Sequence, residues 1–186
     1  MRKAISLIFC GVVLLFPALH VPGQKPIKHG GKIETKYDGF AMETVMKLRK
    51  MKVNCTGFKA DFHESCVSID VVLHCPGTQV SHVGNVTMQL IFETKSWDQS
   101  HAPHQRDLML LADTETLKLG RMRLVPQVST GTQERSTETL EATFPYEVFK
   151  KMVSAEFVEM KVGPTAFTLS DKNLFALRDL NSRIVK

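Results

Sequence analysis

The stretch Asn85-Val86-Thr87-Met88-Gln89-Leu90-Ile91-Phe92-Glu93-Thr94 decides the fold class. Val86, Met88, Leu90 and Phe92 fall on one side of a two-residue repeat, with Thr87, Gln89, Ile91 and Glu93 on the other. Successive side chains of a strand point to opposite faces, so this segment is a strand with one apolar and one mixed face. That is the pattern of a sheet half-covered by a core. Upstream, Val67–Leu73 is short and β-branched, and Pro76-Gly77 stops it. Thr44–Val53 roughly alternates and Gly57 ends it. Ala41, Val45, Leu48 and Met51 would also share one helical face, but the neighbouring strands favour a strand here too.

Downstream, Leu108–Ala112 and Thr116–Leu119 flank Asp113-Thr114-Glu115 as a hairpin, and Gly120 turns the chain into Arg121–Val125. Ser129–Thr137 is a Ser/Thr/Gly-rich loop, and Thr139–Phe144 is a further strand. Pro145 suits a helix's first turn, so a short helix is expected near 146–153 with Val148, Phe149 and Met152 inward. Phe157–Val162 alternates, Gly163-Pro164 turns, and Ala166–Leu169 returns. Ser170 or Asp171 caps a C-terminal helix near 171–184, with Leu174, Leu177 and Leu180 on its apolar face, Phe175 and Ile184 alongside, and Arg178, Arg183 and Lys186 toward its end. The expected class is mainly β (α+β): an antiparallel sheet or sandwich with these two helices.

The N-terminus has a different texture. Met1-Arg2-Lys3 precedes an apolar run from Ala4 to Leu19, and Val21-Pro22-Gly23 follows. A basic start, an apolar stretch and a small residue at the cut describe a signal peptide over 1–23. An uncleaved anchor is the alternative, but Pro17, His20 and Pro22 shorten a run already near the lower limit for spanning a bilayer. Cleavage leaves about 160 of the 186 residues, the usual size of one domain. Residues 24–36 are polar and aperiodic, a flexible arm, and 37–186 form a single β-rich domain. Arg2 and Lys3 leave with the peptide, so the mature charge is smaller than the formal +5 and is weak support for a polyanionic partner. No later stretch is long and apolar enough to span a membrane.

The order Tyr37-Asp38-x-Phe40, Trp97, Leu110-Leu111-Ala112-Asp113, Leu117-x-Leu119-Gly120, then Pro145-x-x-x-Phe149-x-x-Met152-x-x-Ala155-x-x-Val158-Glu159-Met160-x-Val162-Gly163-Pro164-Thr165-x-Phe167-x-Leu169 and Leu177-Arg178-Asp179-Leu180 resembles a group of exported bacterial proteins whose activity is uncharacterised. The likeness runs through most of the chain after the leader and is tightest from Leu140 onward. It implies export to the periplasm or beyond and a β-rich domain ending in a helix. It implies no activity. The three cysteines after the leader and the His101–His104 segment are not part of that pattern.

Those cysteines are Cys55, Cys66 and Cys75. In an oxidising compartment one disulfide is the default, and an odd number leaves one thiol over; spacing does not choose the pair. His63, Cys66, His74 and Cys75, with His82, His101 and His104 further on, are ligand types that zinc or copper prefers. Their spacing matches no finger or ribbon, so a disulfide with solvated histidines is the plainer reading and no cofactor is expected. Asp113 and Glu115 sit at a hairpin tip with Asp107 at its foot, where both would be ionised and neither could serve as an acid. No nucleophile elbow, phosphate loop or dinucleotide fingerprint occurs.

Lys47, Arg49, Lys50 and Lys52 make a basic strand. Strict alternation would put Lys47 and Arg49 on one face and Lys50 and Lys52 on the other, dividing the charge, as on an edge strand that blocks unwanted pairing. Aromatics are not interleaved with them, which argues against nucleic acid. Trp97, the only tryptophan, follows a strand and would anchor a sugar ring or a partner protein if exposed. The expectation is therefore a non-enzymatic exported domain binding a protein or glycan, with Trp97, Lys47 and Arg49 as contact residues. A zinc- or copper-handling protein is the rival, and a hydrolase with a site dispersed in sequence is the third reading.

Overall fold

The computed structural model describes residues 29–53, 67–94, 102–126 and 136–184. Ten strands and two α-helices occur among them, in the order β1 (Lys32–Asp38), β2 (Glu43–Val53), β3 (Val67–Pro76), β4 (Asn85–Thr94), β5 (Asp107–Ala112), β6 (Glu115–Arg121), β7 (Arg123–Val125), β8 (Ser136–Pro145), α1 (Tyr146–Ser154), β9 (Val158–Val162), β10 (Thr165–Thr168) and α2 (Asp171–Ser182). A 3-10 turn, Pro103–Gln105, precedes β5. A six-stranded sheet runs β1-β2-β3-β4-β8-β7 and a four-stranded sheet runs β10-β9-β5-β6, and among the described residues neighbouring strands pair antiparallel. The mainly β, α+β class expected from the sequence is the class observed.

Strand alternation builds the core. Met46 and Leu48, Ile69, Val71 and Leu73, Val86, Met88 and Leu90, and Leu140 turn one face of the large sheet inward and are almost wholly buried. Leu108 and Leu110, Val158, Met160 and Val162, and Phe167 do the same for the small sheet. With Phe149 and Met152 of α1 and Leu174, Leu177 and Leu180 of α2 they form one cluster. Burying a Leu- or Phe-sized side chain stabilises by about 1.5–3 kcal/mol relative to exposure, and this cluster is the main source of stability.

Both helices are set by their caps. Ser170 accepts from the Asn173 amide while the Asn173 side chain accepts from the Ser170 amide, a reciprocal capping box. Asn173 also donates to Lys52 O at 2.8 Å, tying the start of α2 to β2. Arg178 donates through Nε to Val153 O (2.8 Å) and through Nη2 to Ala155 O (2.6 Å), so its guanidinium satisfies carbonyls at the end of α1. Asp179 accepts from His29 at 2.9 Å and from Arg183 at 3.0 Å, and the His29 ring lies 6.1 Å from that of Phe175. The residues just before β1 are thereby fastened to α2.

Two expectations are corrected here. Residues 24–36 were expected to be an aperiodic arm, but Lys32–Lys36 lie in β1 and pair with β2 in register from Lys32↔Arg49 to Asp38↔Glu43. The charges of Lys32, Glu34, Lys36 and Asp38 alternate with Ile33, Thr35 and Tyr37, which is a strand pattern with polar residues on both sides. The basic strand β2 is not an edge: it lies between β1 and β3, and among the described residues β1 is the edge. The segment expected to be a signal peptide, residues 1–23, and Cys55, His63, Cys66, Trp97 and His101 lie outside the described residues. Among the described residues no helix is long and apolar enough to cross a membrane.

Candidate functional site

The outer face of the large sheet carries the polar half of each alternating strand. Its most developed feature is an open depression of about 260 Å3 on the β1–β2 pair, lined by Glu34, Lys36, Asp38, Val45, Lys47 and Arg49. Charges of both signs face one another across the two strands. Glu34 lies opposite Lys47, and it also bonds Lys32 at 2.7 Å. The hydrogen bond and charge of Lys32 hold the Glu34 carboxyl below the usual range. Arg49 reaches Glu34 at 3.8 Å and Asp70 at 3.8 Å.

A β-bulge assembles this face. Pairing of β2 with β3 runs Leu48↔Val71 and then Met51↔Ile69, so Arg49 and Lys50 together oppose Asp70. Lys50 adopts φ +58°, and its amide donates to Asp70 Oδ1 at 2.7 Å. The extra residue shifts the alternation by one. Met46 and Leu48 point inward before it, and Met51 and Val53 after it, so Lys52 joins Lys47 and Arg49 on the exposed side. The expectation that alternation divides the basic residues between two faces is therefore overturned. The apolar pattern carries the trace: it changes from even to odd positions between Leu48 and Met51. A regular strand would have pointed Lys50 and Lys52 into the core, at a prohibitive desolvation cost.

Further across, Gln89 Nε2 donates to Glu141 Oε2 at 2.8 Å and Arg123 Nη2 to Glu141 Oε1 at 2.5 Å. The Gln89 hydrogen bond, with help from Arg123, holds the pKa of the Glu141 carboxyl below its ordinary value. Thr87 and Thr143 hydroxyls meet at 3.1 Å.

At the end of the depression the β1–β2 hairpin projects Phe40, at 104% relative exposure, and Met42, at 69%. Tyr37 beside them is 44% exposed. The turn under these side chains is well held. Asp38 Oδ1 accepts from the amides of Phe40 (2.9 Å) and Ala41 (3.2 Å). The Gly77 amide donates to Met42 O, and the Thr44 hydroxyl donates to Gly77 O, each at 2.8 Å. The apolar tip was not singled out from the sequence, although Asp38-Gly39-Phe40-Ala41-Met42 between two strands, with apolar side chains in a turn, was the available sign.

The remaining sequence candidates separate. His74 and Cys75 are adjacent in β3 and point to opposite faces, one exposed and one buried, so one ion cannot take both. His74 Nδ1 is 2.9 Å from Glu43 on the outer face. The Cys75 thiol is unpaired and buried, and burial, with the nearby Glu43 charge, raises its pKa. Among the described residues no three His, Cys, Asp or Glu side chains gather as a metal site. Asp113 accepts from the amides of Glu156 (3.0 Å) and Phe157 (2.9 Å), and Glu115 pairs with Lys151 at 2.6 Å. Asp107 lies 3.6 Å from Arg121. Asp113, Glu115 and Asp107 thus have structural partners at the two ends of one hairpin, and the two tip carboxylates do not face each other across a cleft.

The fold defines a mainly β, two-sheet α+β protein with one partly open sheet face. Comparison with protein-family models, curated proteins and solved structures finds no match.

Proposed function

We propose that this chain is an exported, non-enzymatic β domain of the cell envelope or extracellular space, and that its β1–β2 hairpin is the surface that binds a partner protein. The observation that supports this reading is the held hairpin tip. Among the described residues the other exposed large apolar side chains, Tyr37, Leu124 and Phe157, reach only 38–44% exposure, whereas Phe40 at 104% and Met42 at 69% stand free above the mixed-charge depression of Glu34, Lys36, Lys47 and Arg49. An apolar anchor beside a charged rim is how protein interfaces concentrate their affinity, and a turn ordered in advance lowers the ordering cost of binding. A glycan would stack on Phe40 but would leave Met42 without a counterpart. The basic start and apolar run of residues 1–23 support export.

Two measurements test this. Intact mass of the protein recovered from its producing cell, after alkylation without reductant, reads both leader removal and cysteine state. A mass that includes residues 1–23 in a protein retained in the cytoplasm contradicts the export reading. A photo-crosslinking residue at position 40, compared with one at exposed Lys172 on α2, reads the surface. A protein trapped from position 40 alone, and lost in Lys47→Glu/Arg49→Glu, supports the hairpin. Retention on immobilised polysaccharide that depends on Phe40 would replace the protein with a glycan. A protein with no partner trapped at position 40 and no Phe40-dependent retention on polysaccharide would overturn the site.

A further inference from the structure

The free edge of the large sheet has a charge order that is complementary to itself. β1 pairs with β2 on one side and, among the described residues, carries no strand on the other. Its charged row is Lys32, Glu34, Lys36 and Asp38, and Ile33, Thr35 and Tyr37 occupy the alternate row. An edge like this presents unpaired amides and carbonyls to any strand that fits. Lysine on an edge normally repels such strands. Here each lysine is followed two residues on by a carboxylate, so an antiparallel copy of the same strand meets opposite charges when fully overlapped and like charges when slipped by two residues; a slip of four leaves only three residues paired.

We propose that two copies of this chain join edge to edge through β1, antiparallel about a two-fold axis at Thr35, into one continuous sheet. Lys32 then lies opposite the partner's Asp38, and Glu34 opposite the partner's Lys36, with the same two pairs repeated across the axis. Thr35 meets the partner's Thr35, and the half-exposed Tyr37 gains the partner's Ile33 as a cross-strand neighbour. A slip of two residues in one direction puts Glu34 on the partner's Glu34 and Lys32 on the partner's Lys36. The opposite slip puts Lys36 on the partner's Lys36 and Glu34 on the partner's Asp38. Opposite charges directly across an antiparallel pair stabilise it and like charges destabilise it, so the central register is selected. A two-fold contact of one patch with itself is the commonest way for identical chains to associate.

The other sheet edges are poorer templates. β7 has three residues and β10 four, while β6 is interrupted by a register shift against β5 between Leu108 and Met109. β1 is seven residues long with an uninterrupted register against β2, and the contact of His29 with Asp179 fixes its entry. Pairing through β1 would bring the two copies' depressions to either side of the axis, with Lys47 and Arg49 of each copy one strand away from the seam.

Sedimentation velocity over a concentration series tests this, because a seven-residue edge contact places the dissociation constant in the weak range, about 1 µM to 1 mM. The wild-type protein should show a concentration-dependent monomer–dimer equilibrium that weakens as salt is added. Lys36→Glu places Glu opposite the partner's Glu34 twice, and Glu34→Lys places Lys opposite the partner's Lys36 twice. Each variant alone should dimerise at least about tenfold more weakly than wild type. An equimolar mixture of the two variants restores opposite charges at both positions in the mixed pair, so dimer should return. Circular dichroism of each variant confirms that it is folded, and recovery on mixing is beyond the reach of a misfolded chain. A wild-type protein that stays monomeric at about 1 mM, a dimer indifferent to Lys36→Glu, or variants that fail to associate on mixing would overturn the proposal.

Discussion

Replacing Asp70 with alanine should loosen the basic face through the backbone. Its carboxylate accepts the Lys50 amide at 2.7 Å and sits 3.8 Å from the Arg49 guanidinium, while Asp70 itself is 8% exposed. A hydrogen bond to a charged acceptor contributes about 1.5–3 kcal/mol, and the half-exposed Arg49 adds at most a few tenths. Lys50 is exposed, so water replaces part of the lost acceptor and the expected cost falls near 2 kcal/mol. With a urea slope of about 2 kcal/mol/M for a domain of this size, the midpoint should drop by about 1 M. Asp70→Asn keeps a neutral acceptor and should lose about half as much. Lys50→Gly tests the same bulge from the other side. It relieves a left-handed backbone that costs a side-chain-bearing residue about 1 kcal/mol, partly offset by glycine's greater unfolded-state freedom, and should be neutral or mildly stabilising. Urea unfolding followed by circular dichroism reads all three. An Asp70→Ala loss below about 0.5 kcal/mol, the scale of an ordinary surface change, would refute the claim that this carboxylate holds the bulge.

Other positions give equally direct checks. Arg178→Ala should cost about 2 kcal/mol by leaving Val153 O and Ala155 O without their shared donor, and Arg178→Lys should recover only part of it because an ammonium lacks the planar fork; thermal unfolding measures both. Gly163→Ala should cost about 2–4 kcal/mol, since Gly163 has φ +54° and a Cβ there would lie 2.3 Å from Gln105 O; a midpoint within error of wild type contradicts the packing of this turn. Arg183, then His29, lower the pKa of Asp179, so its contribution to stability is present above the unfolded value of about 3.9 and is lost as pH falls through the lower folded value. Asp179→Asn should therefore flatten stability against pH below about 4, with Glu34 and Glu141 retaining part of the slope. Cys75 should resist thiol-specific alkylation in the native protein and react once urea opens the core, as read by peptide mass; fast native labelling would place it at the surface.

Much of the architecture was legible because it rests on local periodicity. The alternation in Asn85–Thr94, the short helix after Pro145 and the Ser170 cap all depend on residues close in sequence, and their elements appear at the expected places. The arm was misjudged because β1 is an edge strand whose charges hide the two-residue repeat from an apolar count. The role of Leu177-Arg178-Asp179-Leu180 was also hidden: Arg178 serves carbonyls 23 and 25 residues away, and Asp179 serves His29, 150 residues away. Lys47 and Arg49 were named from their charge, but the residues that complete their depression come from a stretch assigned to the arm.

By itself the amino-acid order determined the mainly β class, the helical ending and the core-facing side chains of β4 and α2, since burial there follows a period that the chain carries locally. In α1 Val148, expected inward, is only half-buried and Val153 is buried instead. Only the tertiary structure decided that β2 is central, that β1 is the free edge among the described residues, and that a bulge gathers Lys47, Arg49 and Lys52 on one side. Those outcomes depend on which strands become neighbours and on one carboxylate, Asp70, catching the backbone amide of a strand 20 residues away. Which segments meet in such contacts is not written in any local period; of the bulge itself the sequence carries only the change of the apolar positions from even to odd between Leu48 and Met51.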